Sequence, residues 1–254
     1  MYLPLHNVSA GKKYYFRIPV TKLSFFTVSL PLFSFIICVL LTMYKDFDRA
    51  NKTHCNIPNI FPSISASIGN YEPQITIWKT AIYTHAPLRF ILIYLRWDYY
   101  KSIIRDDCRI IVKLAVSLNI IENITLLGLT HWTSSLNYSY HEVCFKTFIA
   151  ASLLYMVFIC ILLTKCRRRP NITLLERYSV KLKWRLFLVN ASTFTMAAYF
   201  FLRHNSLCEP YVYSIFAFSE YIVVVSNILY HCTTVYDLHS HFITISKHGV
   251  TIEK

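Results

Sequence analysis

Two short blocks, H-A-P-L-R-F at 85–90 and N-I-I-E-N at 119–123, put ionisable and amide side chains inside otherwise apolar runs. His85 and Arg89 are four apart and share one helix face. Pro87 between them removes an N–H, frees the carbonyl of Tyr83 and favours a kink. Asn119, Glu122 and Asn123 also share a face, and Glu220, Asn227 and His231 make a third stripe. Glu122 is the natural partner for Arg89, with Glu220 the alternative. Such groups can hold a polar headgroup or perform acid–base chemistry. The competing reading is structural, in which polar side chains fasten helices at about 0.6 kcal/mol each. That reading is favoured for Asn119, Asn123 and Asn227. A site is favoured for His85, Arg89, Glu122 and Glu220, because charge at mid-bilayer costs about 2.5–3.5 kcal/mol.

A second cluster is R-H-N-S-L-C-E at 203–209. Arg203, His204 and Asn205 at a helix end suit a phosphate or carboxyl group. They equally suit an interfacial cap, with Arg203 snorkelling and His204 and Asn205 closing the helix. His54 and His141-Glu142 extend the same polar rim. There is no catalytic-triad spacing, no H-E-x-x-H and no G-x-S-x-G. The 8 cysteines give no paired zinc spacing, so no metal is expected.

These residues need elements to hold them. The chain has 254 residues, 55% hydrophobic and 15% charged, whereas soluble domains carry about a quarter charged residues. Apolar runs at about 23–44, 76–96, 111–131, 143–164, 186–203 and 211–231 have the length of membrane-crossing helices. The alternation of a spanning barrel is absent. The first run is too long for a cleaved signal and reads as a retained span. The expectation is an all-α polytopic membrane protein, one six-helix bundle in a single domain.

A net charge of +13 suggests nucleic acid, but its distribution argues against that. Lys and Arg number 4 in 1–22, 5 in 96–113 and 8 in 165–185, against 3 in 45–75 and none in 132–141. This asymmetry puts both termini, 96–113 and 165–185 in the cytosol, and 45–75, 132–141 and 204–210 in a lumen. The basic 165–185 connector is expected to rest on anionic headgroups. Cys55 and Cys208 fall on the oxidising side and are a disulfide candidate. Cys166 beside basic residues is a candidate for palmitoylation. The first lumenal loop is rich in Pro and Ser yet carries Ile57, Ile60, Phe61, Ile64 and Ile68, so it should fold over the lumenal mouth.

Taken in order, T-H-C-N-I-P-N-I-F-P-S-I-S-A-S-I-G, H-A-P-L-R-F, N-I-I-E-N-I-T-L-L, H-E and R-H-N-S-L-C-E-P-Y-V-Y-S-I-F-A-F-S-E-Y resemble the Frag–DRAM–Sfk membrane proteins over about 20–240. The resemblance implies a multi-pass protein of the Golgi or endoplasmic reticulum that remodels the lipid of glycosylphosphatidylinositol (GPI) anchors. The step implied is re-acylation of lyso-GPI at sn-2 with a saturated chain. The implied partners are the lyso-GPI lipid and other GPI-remodelling enzymes. No cofactor is expected to be bound, and acyl-CoA is the possible acyl donor. Under that implication His85 or His204 is the candidate base. Arg89 and Asn119 stabilise an oxyanion or orient the substrate, and Glu122 or Glu220 fixes the histidine or arginine. His54, Asn123, Arg203, Asn205 and Glu220 complete the substrate-binding set. Two alternatives stand beside this: a non-catalytic cofactor presenting lyso-GPI to a separate enzyme, and a lipid transporter. The two halves show no internal repeat to support the transporter.

Overall fold

The computed structural model of the protein describes residues 14–69, 71–168, 172–246 and 249–253. Lys12, Lys13 and Arg169, counted above among the cytosolic cations, lie outside them. Among the described residues the long helices are α1 (Val20–Lys45), α4 (Gln74–Ile103), α5 (Arg109–His131), α6 (Tyr138–Lys165), α7 (Leu174–Leu207) and α8 (Val212–Cys232). Short helices α2 (Phe47–Ala50) and α3 (Ile64–Gly69) lie between α1 and α4, and α9 (Thr234–Asp237) follows α8. Each long helix packs on its neighbour in sequence, and α8 returns to touch α1, so the six close into a ring.

Five segments are long and apolar enough to cross a membrane: α1, Asp106–His131 with α5, α6, α7 and Val212–Asp237 with α8. The chain is therefore a polytopic helical membrane protein. α4 has 30 residues but carries Lys79, Arg89, Arg96, Asp98 and Lys101. Arg89 and Arg96 are 4% and 3% exposed and face the ring interior, whereas Asp98 and Lys101 are exposed.

Local chemistry sets the helix ends. Asn137 caps α6 by accepting from the Tyr140 N–H at 3.2 Å. Thr173 and Glu176 form a reciprocal capping box at α7. α4 runs on through Pro87. α7 ends four residues later than the apolar run predicts, at Cys208 in the left-handed region (φ 49°), and the Cys208 N–H donates to the His204 carbonyl. Cys208 thus makes the cap expected of His204 and Asn205.

The all-α reading fits the body of the chain, and the termini add a small sheet to it. β1 (Tyr14–Pro19) pairs antiparallel with β2 (Phe242–Ser246), and β2 pairs with β3 (Gly249–Glu253). The strands are five or six residues long, and two of them lie more than 200 residues apart in sequence. No local pattern announces such a pairing.

Two expectations are corrected at the same end of the ring. Lys183 does not rest on headgroups. It is 2% exposed and its ammonium donates to Asp237 Oδ2 and Ser179 Oγ, both at 2.7 Å. Cys166 is also buried against Cys108, with Cα atoms 6.2 Å apart, rather than open to acylation.

The loop between α1 and α4 folds onto α8, as its apolar residues require. The Tyr211 N–H donates to the Pro58 carbonyl, and the Ile60 N–H donates to Ser214 Oγ at 2.7 Å. Phe61 packs on Phe218 and Tyr221, and the Tyr221 hydroxyl donates to the Pro62 carbonyl. A disulfide joins Cys55 to Cys208, with Cα atoms 5.4 Å apart.

The Lys183–Asp237 pair is open to a direct test. Lys183→Met alone leaves a buried carboxylate unpaired and is expected to cost about 3–5 kcal/mol of stability. Adding Asp237→Leu should recover most of that loss. Thermal unfolding in detergent measures both, and a single variant as stable as wild type would refute the buried pair.

Candidate functional site

The ring interior holds a polar network between two apolar clusters. One cluster gathers Phe35, Cys38, Trp78 and Ile82 towards the α4 N-terminus. The other gathers Tyr99, Tyr100, Cys108, Tyr155 and Tyr230 towards its C-terminus. Arg89 lies about 22 Å along α4 at 1.5 Å per residue, near the helix midpoint. Glu122 is fully buried, and its Oε2 meets Arg89 Nη2 at 2.6 Å. Its Oε1 accepts from Asn227 Nδ2 and from His231 Nε2, each at 3.0 Å. Arg89 Nη2 also donates to Asn119 Oδ1 at 3.1 Å. Asn227 reaches Ser152 Oγ at 2.6 Å, and Asn123 donates to the Ala86 carbonyl at 3.1 Å. The pairing of Arg89 with Glu122 decides against Glu220.

His231 is the hub of this network. Arg96 Nη1 lies 3.1 Å from its Nδ1 and donates to the Tyr155 hydroxyl at 2.7 Å. The imidazole Nε2 lies 2.8 Å from Arg89 Nη2 and 3.0 Å from Glu122 Oε1, so a guanidinium, which only donates, faces each ring nitrogen. The Tyr155 ring stacks on the imidazole, with centroids 5.5 Å apart and planes 7° apart. The ring is thereby held on its face and at both nitrogens.

His85 sits beside this network. Its Nδ1 lies 2.7 Å from the Thr27 carbonyl, which only accepts, so Nδ1 carries the proton. Nε2 is buried with no hydrogen-bond partner among the described residues. The result is a neutral imidazole with a fixed tautomer and a free lone pair, the state a general base requires.

The rim around 203–209 is rearranged relative to expectation. Arg203 is not a free anion receptor: its Nε and Nη2 fork onto Glu209, and Nη1 donates to the Tyr199 hydroxyl at 2.9 Å. The hydrogen bonds from Arg203 hold the Glu209 carboxyl below the ordinary carboxylate range. His204 is 1% exposed, not open on a lip, and neither ring nitrogen has a hydrogen-bond partner among the described residues. Its ring lies edge-on to His54, centroids 5.4 Å apart, and 5.0 Å from the Tyr213 ring. His54 and Asn205 are exposed. Glu220 turns to the folded loop, where Oε2 accepts from the Ile64 N–H at 3.3 Å. His141 is held by the Trp132 carbonyl and Ser65 Oγ, and Glu142 pairs with Lys146. His54, Cys55 and Cys208 lie close enough to share an ion, but the two sulfurs are bonded to each other.

The structure therefore brings together Arg89, Asn119 and Glu122 in the network, places His85 and Asn123 next to it, and seats His54, Arg203, His204 and Asn205 at the rim. It adds Arg96, Tyr155 and His231. Arg96 is seven residues from Arg89 on one helix face, and that spacing was the available signal.

Residues 19–241 match the family described as Frag1/DRAM/Sfk1/Cwh43P N-terminal domain. The chain belongs to this family. Among similar proteins of the Frag1/DRAM/Sfk1 family is "Post-GPI attachment to proteins factor 2" of Drosophila pseudoobscura pseudoobscura, 42% identical over 240 residues, covering 94% of each chain. The protein of that name from Caenorhabditis briggsae is 35% identical, covering 94% of this chain and 93% of its own. "Acyltransferase PGAP2" of Xenopus tropicalis is 34% identical over 244 residues, covering 94% of this chain and 95% of its own. No solved structure matches the chain.

Glu122→Gln keeps the shape of the side chain and removes the counter-ion of Arg89. It should lower stability by about 3–5 kcal/mol. Asn227→Ala, which loses one hydrogen bond to that carboxylate, should cost about 1.5–3 kcal/mol. Thermal midpoints compared in one detergent give the ranking, and equal or reversed losses would show that the carboxylate is not the centre of the network.

Proposed function

We propose that the chain remodels the lipid of GPI anchors in the Golgi or endoplasmic reticulum membrane, re-acylating lyso-GPI at sn-2 with a saturated chain. The relatives named for GPI-anchor maturation and acyl transfer, similar over nearly the whole chain, support this reading. The observation that carries the chemistry is His85, with Nδ1–H fixed on the Thr27 carbonyl and Nε2 unpaired. His85 takes the proton of the sn-2 hydroxyl as that oxygen attacks the thioester carbonyl of the donor; the C–S bond then breaks, and His85 returns the proton to the departing coenzyme A thiolate. Arg89 and Asn119, one turn below it, stabilise the developing oxyanion. His54 and Asn205 at the rim meet the phosphate and glycan, with Arg203 available on exchange of its Glu209 partner. Acyl-CoA is the proposed donor.

Six crossings complete the reading. β1 and β2 form one sheet, so residues 14–19 and 242–246 lie on the same side of the bilayer. The number of crossings between them is then even. Five segments qualify on hydropathy, and α4 supplies the sixth. The cation asymmetry supports a cytosolic position for that sheet.

A second reading, a cofactor presenting lyso-GPI to a separate acyltransferase, draws on the rim. Its one guanidinium is already forked onto Glu209, and His204 is sealed from solvent.

The test is reconstitution of the purified chain alone with lyso-GPI and a labelled saturated acyl-CoA. Diacyl GPI should form, and His85→Ala should reduce its rate at least 100-fold, the lower range for loss of a general base. The thermal midpoint and lyso-GPI binding of the variant should stay near wild type. Binding of lyso-GPI without any turnover would move the assignment to the presenting cofactor.

A further inference from the structure

The charge balance of the core network is uneven. Arg89 and Arg96 are both at least 96% buried. Glu122 is the carboxylate they approach, and His231 lies between them, its Nε2 2.8 Å from Arg89 Nη2 and its Nδ1 3.1 Å from Arg96 Nη1. Arg96 makes no ion pair with a carboxylate among the described residues; its contacts are the Tyr155 hydroxyl and His231 Nδ1. Two guanidiniums therefore share one carboxylate in a medium that strongly penalises an unmatched charge.

The donors are also not used up. The sealed, unpaired nitrogens of the pair are the two Nε atoms. Arg89 Nη1 and Arg96 Nη2 likewise have no hydrogen-bond partner among the described residues. The two guanidiniums bracket the imidazole of His231, and the fork of an arginine suits an oxyanion. Two forks on one helix suit an anion with several free oxygens. Arg96 is seven residues from the end of α4 at Ile103, about 10 Å along the axis.

We infer that Arg89 and Arg96 form a binding site for the phosphate of an anionic lipid that enters from the end of the ring capped by the terminal sheet. Arg96 Nη2 makes the first contact, and the phosphate supplies the second negative charge. The site stands whether or not the chain transfers acyl groups. It also explains why Arg96 is kept buried with no carboxylate paired to it among the described residues. Tyr155, stacked on His231, then presents its hydroxyl to Arg96 as a placeholder that steadies the guanidinium.

The experiment uses the purified full chain in a neutral detergent, with thermal midpoint as readout. Three probes are titrated: dioleoyl phosphatidate, dioleoylglycerol, which has the same chains and no phosphate, and inorganic phosphate. Phosphatidate should raise the midpoint saturably and dioleoylglycerol should not. Arg96→Met should weaken the phosphatidate response at least tenfold, while its midpoint without lipid stays at or above wild type, because an unmatched charge has been removed. If Arg96→Met does not fold, Arg96→Lys keeps the charge without the fork and should still bind more weakly than wild type. A response to inorganic phosphate as well would identify the anion itself as sufficient, and a response to phosphatidate alone would make the lipid the ligand. An equal rise in the Arg96 variants, a rise with dioleoylglycerol, or no rise with either phosphate probe overturns the site.

Discussion

A carboxylate in the middle of a hydrocarbon-spanning bundle dictates where four helices must be. Glu122 on α5 is completely enclosed, and it is tolerated because Arg89 comes from α4 and Asn227 and His231 come from α8. Ser152 on α6 then holds the other side of Asn227. Remove the requirement that Glu122 be met on every side, and α4, α5, α6 and α8 lose the contacts that set their rotation. Apolar packing alone leaves that rotation weakly specified, since lipid is as apolar as the side chains. The apolar clusters above and below the network supply close packing, and the network supplies the register.

Much of this was readable before any coordinates. An arginine and a glutamate inside apolar runs have few ways to exist, so Arg89 and Glu122 declare themselves, and helical spacing adds Asn119 and Asn123. What escaped has a common cause. Arg96 and Lys183 lie near the ends of apolar runs, where a cation ordinarily snorkels to water, and only three-dimensional placement reveals that they turn inward. Asp237 follows the last run in a stretch that reads as a tail. The terminal strands are too short, and too far apart in sequence, for any window to join them. The rim failed for the opposite reason. Arg203 and His204 looked available because their partners, Glu209 and the His54–Tyr213 pair of rings, are set by how the loop folds back.

The two ends of the ring are built by different means. At one end an irregular loop is bound to α8 through backbone groups, aromatic rings and the Cys55–Cys208 disulfide. Its backbone groups find partners on the helix, the condition under which non-helical chain can sit at a bundle mouth. At the other end the fastening is ionic and β-structured: Lys183 with Asp237, Arg167 with Glu176, and the sheet. A site between these two fastenings is held from both ends, which suits groups whose tautomers and orientations must stay fixed.

The pairing of β1 with β2 has a consequence for how the chain is made. β1 is synthesised before the first long helix, and its partner follows the last one, more than 200 residues later. At about 5–20 residues per second, β1 waits on the order of ten seconds or more with its edge unpaired. During that interval the helices have entered the bilayer but the ring has no clasp. The protein therefore has a defined last step in its assembly, and any nascent chain halted before β2 is an open ring with an exposed strand. Such a strand is the kind of edge that chaperones and degradation machinery can recognise.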